Sequence, residues 1–295
     1  MKHYKFGYAA VIGRPNTGKS TLLNRLIGQK IAIEADKPQA TRRRINGILT
    51  TDEAQIVFVD TPGIHKPLDG LGECLVKEAQ SAVNDVDIVL FTADGSSSAG
   101  RGDKWIASNV LKDYKGDVII VLNKTDLVKD IEKREENLLS YKMLFDKNYP
   151  VVKISAKTGR NLDTLVKNII RKLPEGEKVY ADDEITDETM RNIACSLIRE
   201  KILLNTRDEI PHSTAVIIES YEETEKLDKI SAEIIVEQET QKRILIGAKG
   251  SMLKKIGTEA RREIENLAGR KVYLELQVKV IKDWRKKSKD LDKLY

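Results

Sequence analysis

The chain has 295 residues, 40% hydrophobic and 33% charged, which suits two globular domains and excludes a disordered or fibrous polymer. No apolar run approaches the roughly 20 residues that cross a bilayer, and MKHYKFGYAA lacks a signal peptide's apolar core, so the cytoplasm is the expected compartment. The net charge of +5 is uneven: 14 Lys and Arg against five Asp and Glu lie between Gln241 and Lys287, marking the C-terminal end as the anion-binding face.

From the start to Leu173, β-branched runs alternate with helical patterns, as crossover connections and a largely parallel sheet require. Strands are expected at Tyr8–Ile12, Asn46–Thr51, Gln55–Asp60, Asp87–Ala93, Asp117–Asn123 and Val151–Ile154. The first domain should span residues 1–173. LPEGEKVYADDEITD follows with Pro, Gly and many charges but no apolar periodicity, so residues 174–186 read as a linker. The second domain, 187–295, opens on a helix with Asp187 as its cap and a stripe of Met190, Ile193, Ala194, Leu197 and Ile198. Strands near Ser213–Ser220 and Ile230–Glu239, a helix Gln241–Ile246, the loop GAKG, a basic helix Ser251–Ala268 and a strand Val272–Ile281 complete an αββααβ order. Cys74 and Cys195 read as small buried or half-buried residues. His3, His65 and His212, with no cysteine cluster beside them, give a zinc site little support.

GRPNTGKS, Gly13–Ser20, sits between the first strand and a helix-like KSTLLNRLIG. Gly13 and Gly18 let backbone N–H groups close around phosphate oxygens without a Cβ in the way, and Arg14, Pro15, Asn16 and Thr17 form the loop between them. Lys19 supplies a point charge for the β and γ phosphates and Ser20 a hydroxyl for Mg²⁺. Thr21 follows in a helix whose positive dipole end faces the nucleotide. The second signal is DTPG: Asp60, Thr61, Pro62 and Gly63. D-x-x-G also occurs at Asp69–Gly72 and Asp113–Gly116, but only the copy at Asp60 closes an apolar strand, AQIVFVD, at a sheet's carboxyl edge. There Asp60 would hold Mg²⁺ through water, and the Gly63 N–H would meet the γ-phosphate. NKTD, with Asn123, Lys124 and Asp126, follows another apolar strand. A carboxylate at Asp126 can accept from both N1–H and the N2 amine of guanine, a pair that adenine lacks. SAK, Ser155, Ala156 and Lys157, could bring the Ala156 N–H to guanine O6. Each motif alone is an ordinary strand-to-loop turn; four in this order, each at a strand's carboxyl end, specify a GTP/GDP site.

With these motifs the chain resembles translation-factor-type GTPases. QATRRRINGI, Gln39–Ile48, together with DTPGIH and GAKG, narrows the resemblance to the Era family of ribosome-assembly GTPases, over nearly all 295 residues. The resemblance implies an α/β Ras-like P-loop GTPase domain, a mostly parallel six-stranded sheet with helices on both faces, followed by an α+β type-two KH domain. It also implies hydrolysis of GTP to GDP and phosphate with Mg²⁺, binding to 16S ribosomal RNA near its 3′ end, and assistance in 30S subunit assembly. Thr41 matches the first-switch threonine that reaches Mg²⁺ alongside Ser20 and Asp60. Relatives often carry two adjacent threonines, whereas the first here is Ala40.

Ras-like enzymes place a water-orienting glutamine after D-x-x-G, but this chain has Ile64, which cannot hydrogen-bond a nucleophile. Catalysis would then rest on Lys19, Thr41, Gly63 and Asn16. Asn16 matches an asparagine that helps seat K⁺ in related enzymes without the glutamine; a loop-shaping role is an equal alternative. The resemblance also allows peripheral contact with the inner face of the membrane, and a monomer is expected.

G-x-x-G at Gly247, Ala248, Lys249 and Gly250 is weak alone but falls between two helices, where a KH module lets a nucleic-acid backbone approach. Lys242, Arg243, Lys254, Lys255, Arg261 and Arg262 flank it, and Ile244 and Ile246 should pack the core or floor the groove. With no aromatic residue nearby, base stacking should contribute little. The tail DWRKKSKDLDKLY reads as a solvated charge run, with RNA or an anionic lipid surface as alternative contacts. Two competing readings stay open: a non-catalytic, GTP-dependent RNA-binding scaffold, and a tRNA-modification-type GTPase. Against the latter, neither cysteine lies near the C-terminus and no folate or flavin partner domain is evident.

Overall fold

KFGYAAVI forms strand β1 (Lys5–Ile12) of a computed structural model in which residues 4–286 are described, apart from 36, 38, 39, 68 and 69. Gln39, Asp69 of the second D-x-x-G copy and tail residues 287–295 therefore lie outside the described residues. The chain divides into two compact units, Met1–Ala32 with Thr41–Asp187, and Ile33–Ala40 with Glu188–Tyr295.

In the first unit, β1 leads into α1 (Lys19–Ile27), and the chain continues through β2 (Ile45–Thr50), β3 (Ala54–Asp60), α2 (Gly70–Asn84), β4 (Ile88–Asp94), α3 (Arg101–Asn109), β5 (Asp117–Asn123), α4 (Ile131–Lys142), β6 (Val151–Lys153) and α5 (Leu162–Lys172). The sheet order is β2-β3-β1-β4-β5-β6, parallel throughout except that β2 runs against β3. Successive strand residues point to opposite faces, so each apolar run feeds two cores. Ala9, Val11, Phe58, Leu90 and Val121 pack with Leu22 and Leu23 of α1 and Leu165 and Ile169 of α5. Ala10, Ile12, Phe91 and Ile120 pack with Ala79 of α2, Ile106 of α3 and Tyr141 of α4 on the other face. Removing the Leu90 side chain, fully buried, would cost about 2–5 kcal/mol.

Residues 174–186, expected as a linker, are fastened along this first unit. Gln55, buried on β3, accepts from the Val179 and Tyr180 N–H groups through Oε1, both at 2.9 Å, and donates Nε2 to the Tyr180 carbonyl at 2.9 Å. The Ile48 N–H of β2 donates to Ile185 O at 2.8 Å, and Thr186 Oγ1 donates to Asn46 O at 2.6 Å. Asn46 Nδ2 donates to Asp187 at 2.8 Å. Asp187 is thereby taken, and the helix that follows is capped by Thr189, whose hydroxyl accepts from Asn192 N at 3.3 Å; this corrects the expected cap.

The second unit contains α6 (Met190–Asn205), α7 (Ile210–Ser213), β7 (Ala215–Glu223), β8 (Asp228–Val236), α8 (Glu239–Ile246), α9 (Ser251–Ala268) and β9 (Val272–Val280). β7 pairs antiparallel and β9 parallel with β8. Ile193, Leu197 and Ile202 of α6 and Ile256, Ala260 and Ile264 of α9 bury against Ile218, Ile230, Ala232 and Ile234 of the sheet. The tail's first residues depart from the solvated reading: Trp284 is fully buried against Ala215 and Ile235, and its Nε1–H donates to Ser213 O at 3.0 Å. Cys195 is half-buried and donates Sγ–H to Val216 O, whereas Cys74 is exposed rather than covered.

Candidate nucleotide site and nucleic-acid groove

Strand order places β1 between β3 and β4, the point where the chain's winding reverses, so the loop after β1 opens at the crevice where α/β sheets hold ligands. The loop is built by close approach. A Cβ at Gly13 would stand 2.1 Å from Thr92 O, and one at Gly18 would stand 2.4 Å from Asn123 Nδ2. Gly18 is also left-handed, with φ 89°, which a side chain resists. α1 then begins with no side-chain cap and no acid in its first turn, so its N–H groups and dipole are left to an anion.

Lys19 is buried and donates to Arg14 O at 3.1 Å. Burial pulls its ammonium down to about 8, against the opposing pull of Asp60. Burial likewise pushes the Asp60 carboxyl up to about 6, opposed by Lys19 and by hydrogen bonds from Ser20, Thr41 and the Thr61 backbone.

Ser20 Oγ lies 2.8 Å from Asp60 Oδ2 and 3.0 Å from Thr41 Oγ1. The second carboxylate oxygen, Asp60 Oδ1, is buried without a protein partner. Two hydroxyls and a carboxylate with an orphaned oxygen are hard donors of the kind Mg²⁺ takes, so these residues fit that ion. Among the described residues no cluster of three His, Cys, Asp or Glu offers an alternative metal centre. Gly63 abuts the loop so closely that a Cβ would stand 2.9 Å from Pro15 Cα. Ile64 donates its N–H to Gly13 O at 3.0 Å and buries its side chain beside Ala10, Ile12 and Val76.

Several residues expected at the ligand also shape the protein around it. Thr17 Oγ1 donates to Arg14 O at 3.1 Å and Thr61 Oγ1 to Val11 O at 3.0 Å, leaving their backbones to face a nucleotide. Asn16 is exposed with φ 65°, a conformation asparagine tolerates better than most residues, which supports its loop-shaping role. Asn123 clasps two loops, donating Nδ2 to Thr17 O and accepting from Ala156 N, both at 2.9 Å. The Ala156 N–H, expected for guanine O6, is thus already engaged, and a base contact there would share it. Ser155 is buried and its hydroxyl accepts from Thr158 N at 3.2 Å, while Lys157 O accepts from Arg25 at 2.8 Å. Asp126 Oδ1 is buried without a partner, poised to accept. Thr125 fixes its turn by donating Oγ1 and N–H to Ile154 O at 2.8 and 3.2 Å.

Two acids that the motifs do not include hold the site's cations. Asp103, fully buried at the start of α3, lies 2.8 Å from Arg14 Nε, and Asp94 at the end of β4 lies 2.9 Å from Lys124 Nζ.

In the second unit, Gly247 (φ 72°), Lys249 (φ 51°) and Gly250 (φ 80°) give the GAKG turn three left-handed residues, and Lys249 and Ala248 are exposed at its tip. A Cβ at Gly250 would meet nothing within 4 Å, so the loop faces open space. Beside it runs a groove of about 360 Å³ lined by Gly250, Leu253, Lys254, Gly257, Thr258, Arg261, Leu274 and Leu276. Its floor comes from α9 and β9 rather than α8: Leu245 is the buried residue of α8, Ile244 is 54% exposed and Ile246 is half-buried. Lys255 is exposed, 4.0 Å from Glu259. The readable signal for the floor was Gly257, a mid-helix glycine one turn from Leu253 and Arg261.

The two halves define a class: a Ras-like P-loop GTPase joined to a type-two KH module. The chain is 51% identical to GTPase Era of Crocosphaera subtropica over 96% of its own length and 89% of that protein's, and it belongs to the Era family. GTPase Era of Rippkaea orientalis is 49% identical, over 97% of this chain and 90% of its own. The family described as 50S ribosome-binding GTPase matches residues 8–124, and the KH domain family matches 209–285. Among solved structures, Era in complex with MgGDPNP and nucleotides 1506–1542 of 16S ribosomal RNA superposes with a TM-score of 0.95 at 41% identity, over 99% of both chains. A tyrosine-to-alanine variant of Aquifex aeolicus Era bound to GDP·AlF4⁻ gives 0.94 at 40% identity, over 98% of both chains.

Proposed function

We propose that this protein is a GTP-hydrolysing switch whose KH domain binds 16S ribosomal RNA near its 3′ end and which assists 30S subunit assembly. The observation that carries the reading is the relative crystallised with MgGDPNP and that RNA segment together, 41% identical over 99% of this chain. On this reading Asp126 accepts from the guanine edge, and Asn123 holds the loops on either side of the base. Gly13, Gly18 and the first turn of α1 present N–H groups to the phosphates. Lys19 sets its ammonium against the β and γ oxygens. Ser20, Thr41 and Asp60 would hold Mg²⁺, whose chemistry is to neutralise charge developing on the transferred phosphoryl group. The Gly63 N–H adds a hydrogen bond to the γ oxygens. Ile64 is buried and offers no side-chain hydrogen bond to a water, so backbone groups would orient it; a K⁺ ion held by Asn16 would neutralise charge developing between the β and γ phosphates.

In the KH domain, GAKG admits the RNA backbone and Lys249, Lys254 and Arg261 meet phosphates. The residues assigned to RNA are Ile246, Gly247, Ala248, Lys249, Gly250, Lys254 and Lys255, with the groove floor of Leu253, Leu274 and Leu276 added. The protein would act as a cytoplasmic monomer, with a peripheral contact at the inner face of the membrane as the family resemblance allows; no helix among the described residues is long and apolar enough to cross a membrane.

The test measures phosphate release over many turnovers and binding to an RNA of the 16S 3′ end, with a GTP analogue and with GDP. Multiple-turnover hydrolysis and nucleotide-dependent RNA binding are expected. A single stoichiometric release, or none, would leave a non-catalytic scaffold.

A further inference from the structure

The parallel register of β4 and β5 sets Asp94 opposite Asn123, so its carboxylate stands beside the next residue, Lys124. Lys124 has φ 61°, an unusual conformation for a residue with a side chain, and its ammonium donates to Asp94 Oδ2 at 2.9 Å. The two side chains are only 31% and 21% exposed.

Asp94 is itself braced. Its Oδ1 accepts from Ser96 N at 3.0 Å and Ser96 Oγ at 2.6 Å, and its carbonyl accepts from the hydroxyl of Tyr141 at 3.1 Å. Next to it, Gly95 donates its N–H to Asn123 O at 2.8 Å and accepts from Asn137 Nδ2 at 3.0 Å. Burial alone would raise the Asp94 carboxyl, but hydrogen bonds from Lys124 and Ser96 outweigh it and hold it below the usual range. A free lysine stem samples many rotamers, whereas one whose ammonium is pinned becomes a fixed apolar wall. Lys124 lies between Asn123, which ties both flanking loops, and Asp126, whose Oδ1 has no protein partner.

We propose that Asp94 is a positioning residue of the nucleoside seat, acting through Lys124 by holding its stem as one wall beside the base. The proposal rests on the guanine-pocket reading above. It assigns a role in nucleotide retention to the last residue of β4, outside every nucleotide-binding motif in the chain.

The test is a double-mutant cycle on the full chain, reading dissociation of a fluorescent GDP by stopped flow, with the thermal midpoint measured in excess GDP. Asp94→Asn keeps the shape and removes the charge. It should speed dissociation on the order of tenfold, the scale of one charge-assisted hydrogen bond. In a Lys124→Ala background the same change should add less than about twofold. An equal acceleration in both backgrounds would show that Asp94 does not act through Lys124 and would overturn the proposal, as would an unchanged rate in Asp94→Asn. Asp126→Asn is measured alongside. If it keeps its preference for guanine, the pocket reading itself has failed; if it loses that preference while the cycle shows no coupling, only the positioning role has failed.

Discussion

Asp126 offers the sharpest test of base selection, because one oxygen of its carboxylate is buried with no protein partner while its turn is pinned to Ile154. Asp126→Asn keeps the shape and replaces an acceptor with a donor. Guanine presents two donors on this edge, N1–H and the N2 amine, so the variant loses one acceptor and sets an amide N–H against a second donor. Losing one hydrogen bond to a charged group costs about 1.5–3 kcal/mol, and turning the other from a charged to a neutral one costs about 1 more, about 2.5–4 kcal/mol together. At about 1.4 kcal/mol per decade, GDP affinity should fall roughly 10²- to 10³-fold. Xanthine carries a carbonyl where guanine carries the amine, and the new amide can donate to it. Xanthosine diphosphate should therefore gain affinity as GDP loses it. Competition against a fluorescent nucleotide reads both, and circular dichroism checks the fold. A folded variant that still prefers guanine would refute the argument.

Lys249→Ala should weaken binding to the 16S 3′-end RNA and flatten the slope of log K against log salt by about 0.7, the value for one phosphate contact on a single strand, without changing GTP affinity. Gly250→Asp places a carboxylate at a left-handed position facing open space and should abolish RNA binding; unaltered affinity in a folded variant would move the RNA surface elsewhere. If Asn16 seats K⁺, turnover should be faster in potassium than in sodium salts at matched ionic strength, and Asn16→Ala should erase the difference while still binding nucleotide. Gln55→Leu strands the Val179 and Tyr180 N–H groups at about 1–3 kcal/mol each, so urea unfolding should show a loss of about 2–6 kcal/mol and residues 175–187 should exchange amide hydrogens faster. Unchanged exchange there would mean that Gln55 does not hold the segment.

Strand β5 and helix α9 were legible to the residue because apolar periodicity ends there against Gly, Asn or charge. The motif residues were legible for the same reason: each sits where a hydrophobic strand stops. Their individual duties were less so. Thr17 and Thr61 read as ligand contacts, yet each hydroxyl closes a backbone carbonyl nearby, a local choice that motif spacing does not encode. Asp94 and Asp103 were invisible because their partners, Lys124 and Arg14, are distant in sequence and only the strand order joins them. The helix cap was misread because Asp187 and Thr189 are both good caps, and Asn46 claims the first. Trp284 carries a sequence signal for burial, since one large aromatic in a run of lysines is better explained by a core position than by solvation.

The fastening of residues 174–186 changes the polymer physics of the joint. Fourteen loose residues between 173 and 188 would make a tether reaching about 50 Å when extended, within which a domain could diffuse over a large volume. Bonded at Tyr180, Ile185, Thr186 and Asp187, the segment is a strap along the first unit rather than a leash. Its length is spent on the edge of the sheet, and lifting it away would unzip hydrogen bonds from β2 and β3, the strands that lead from Thr41 and end at Asp60.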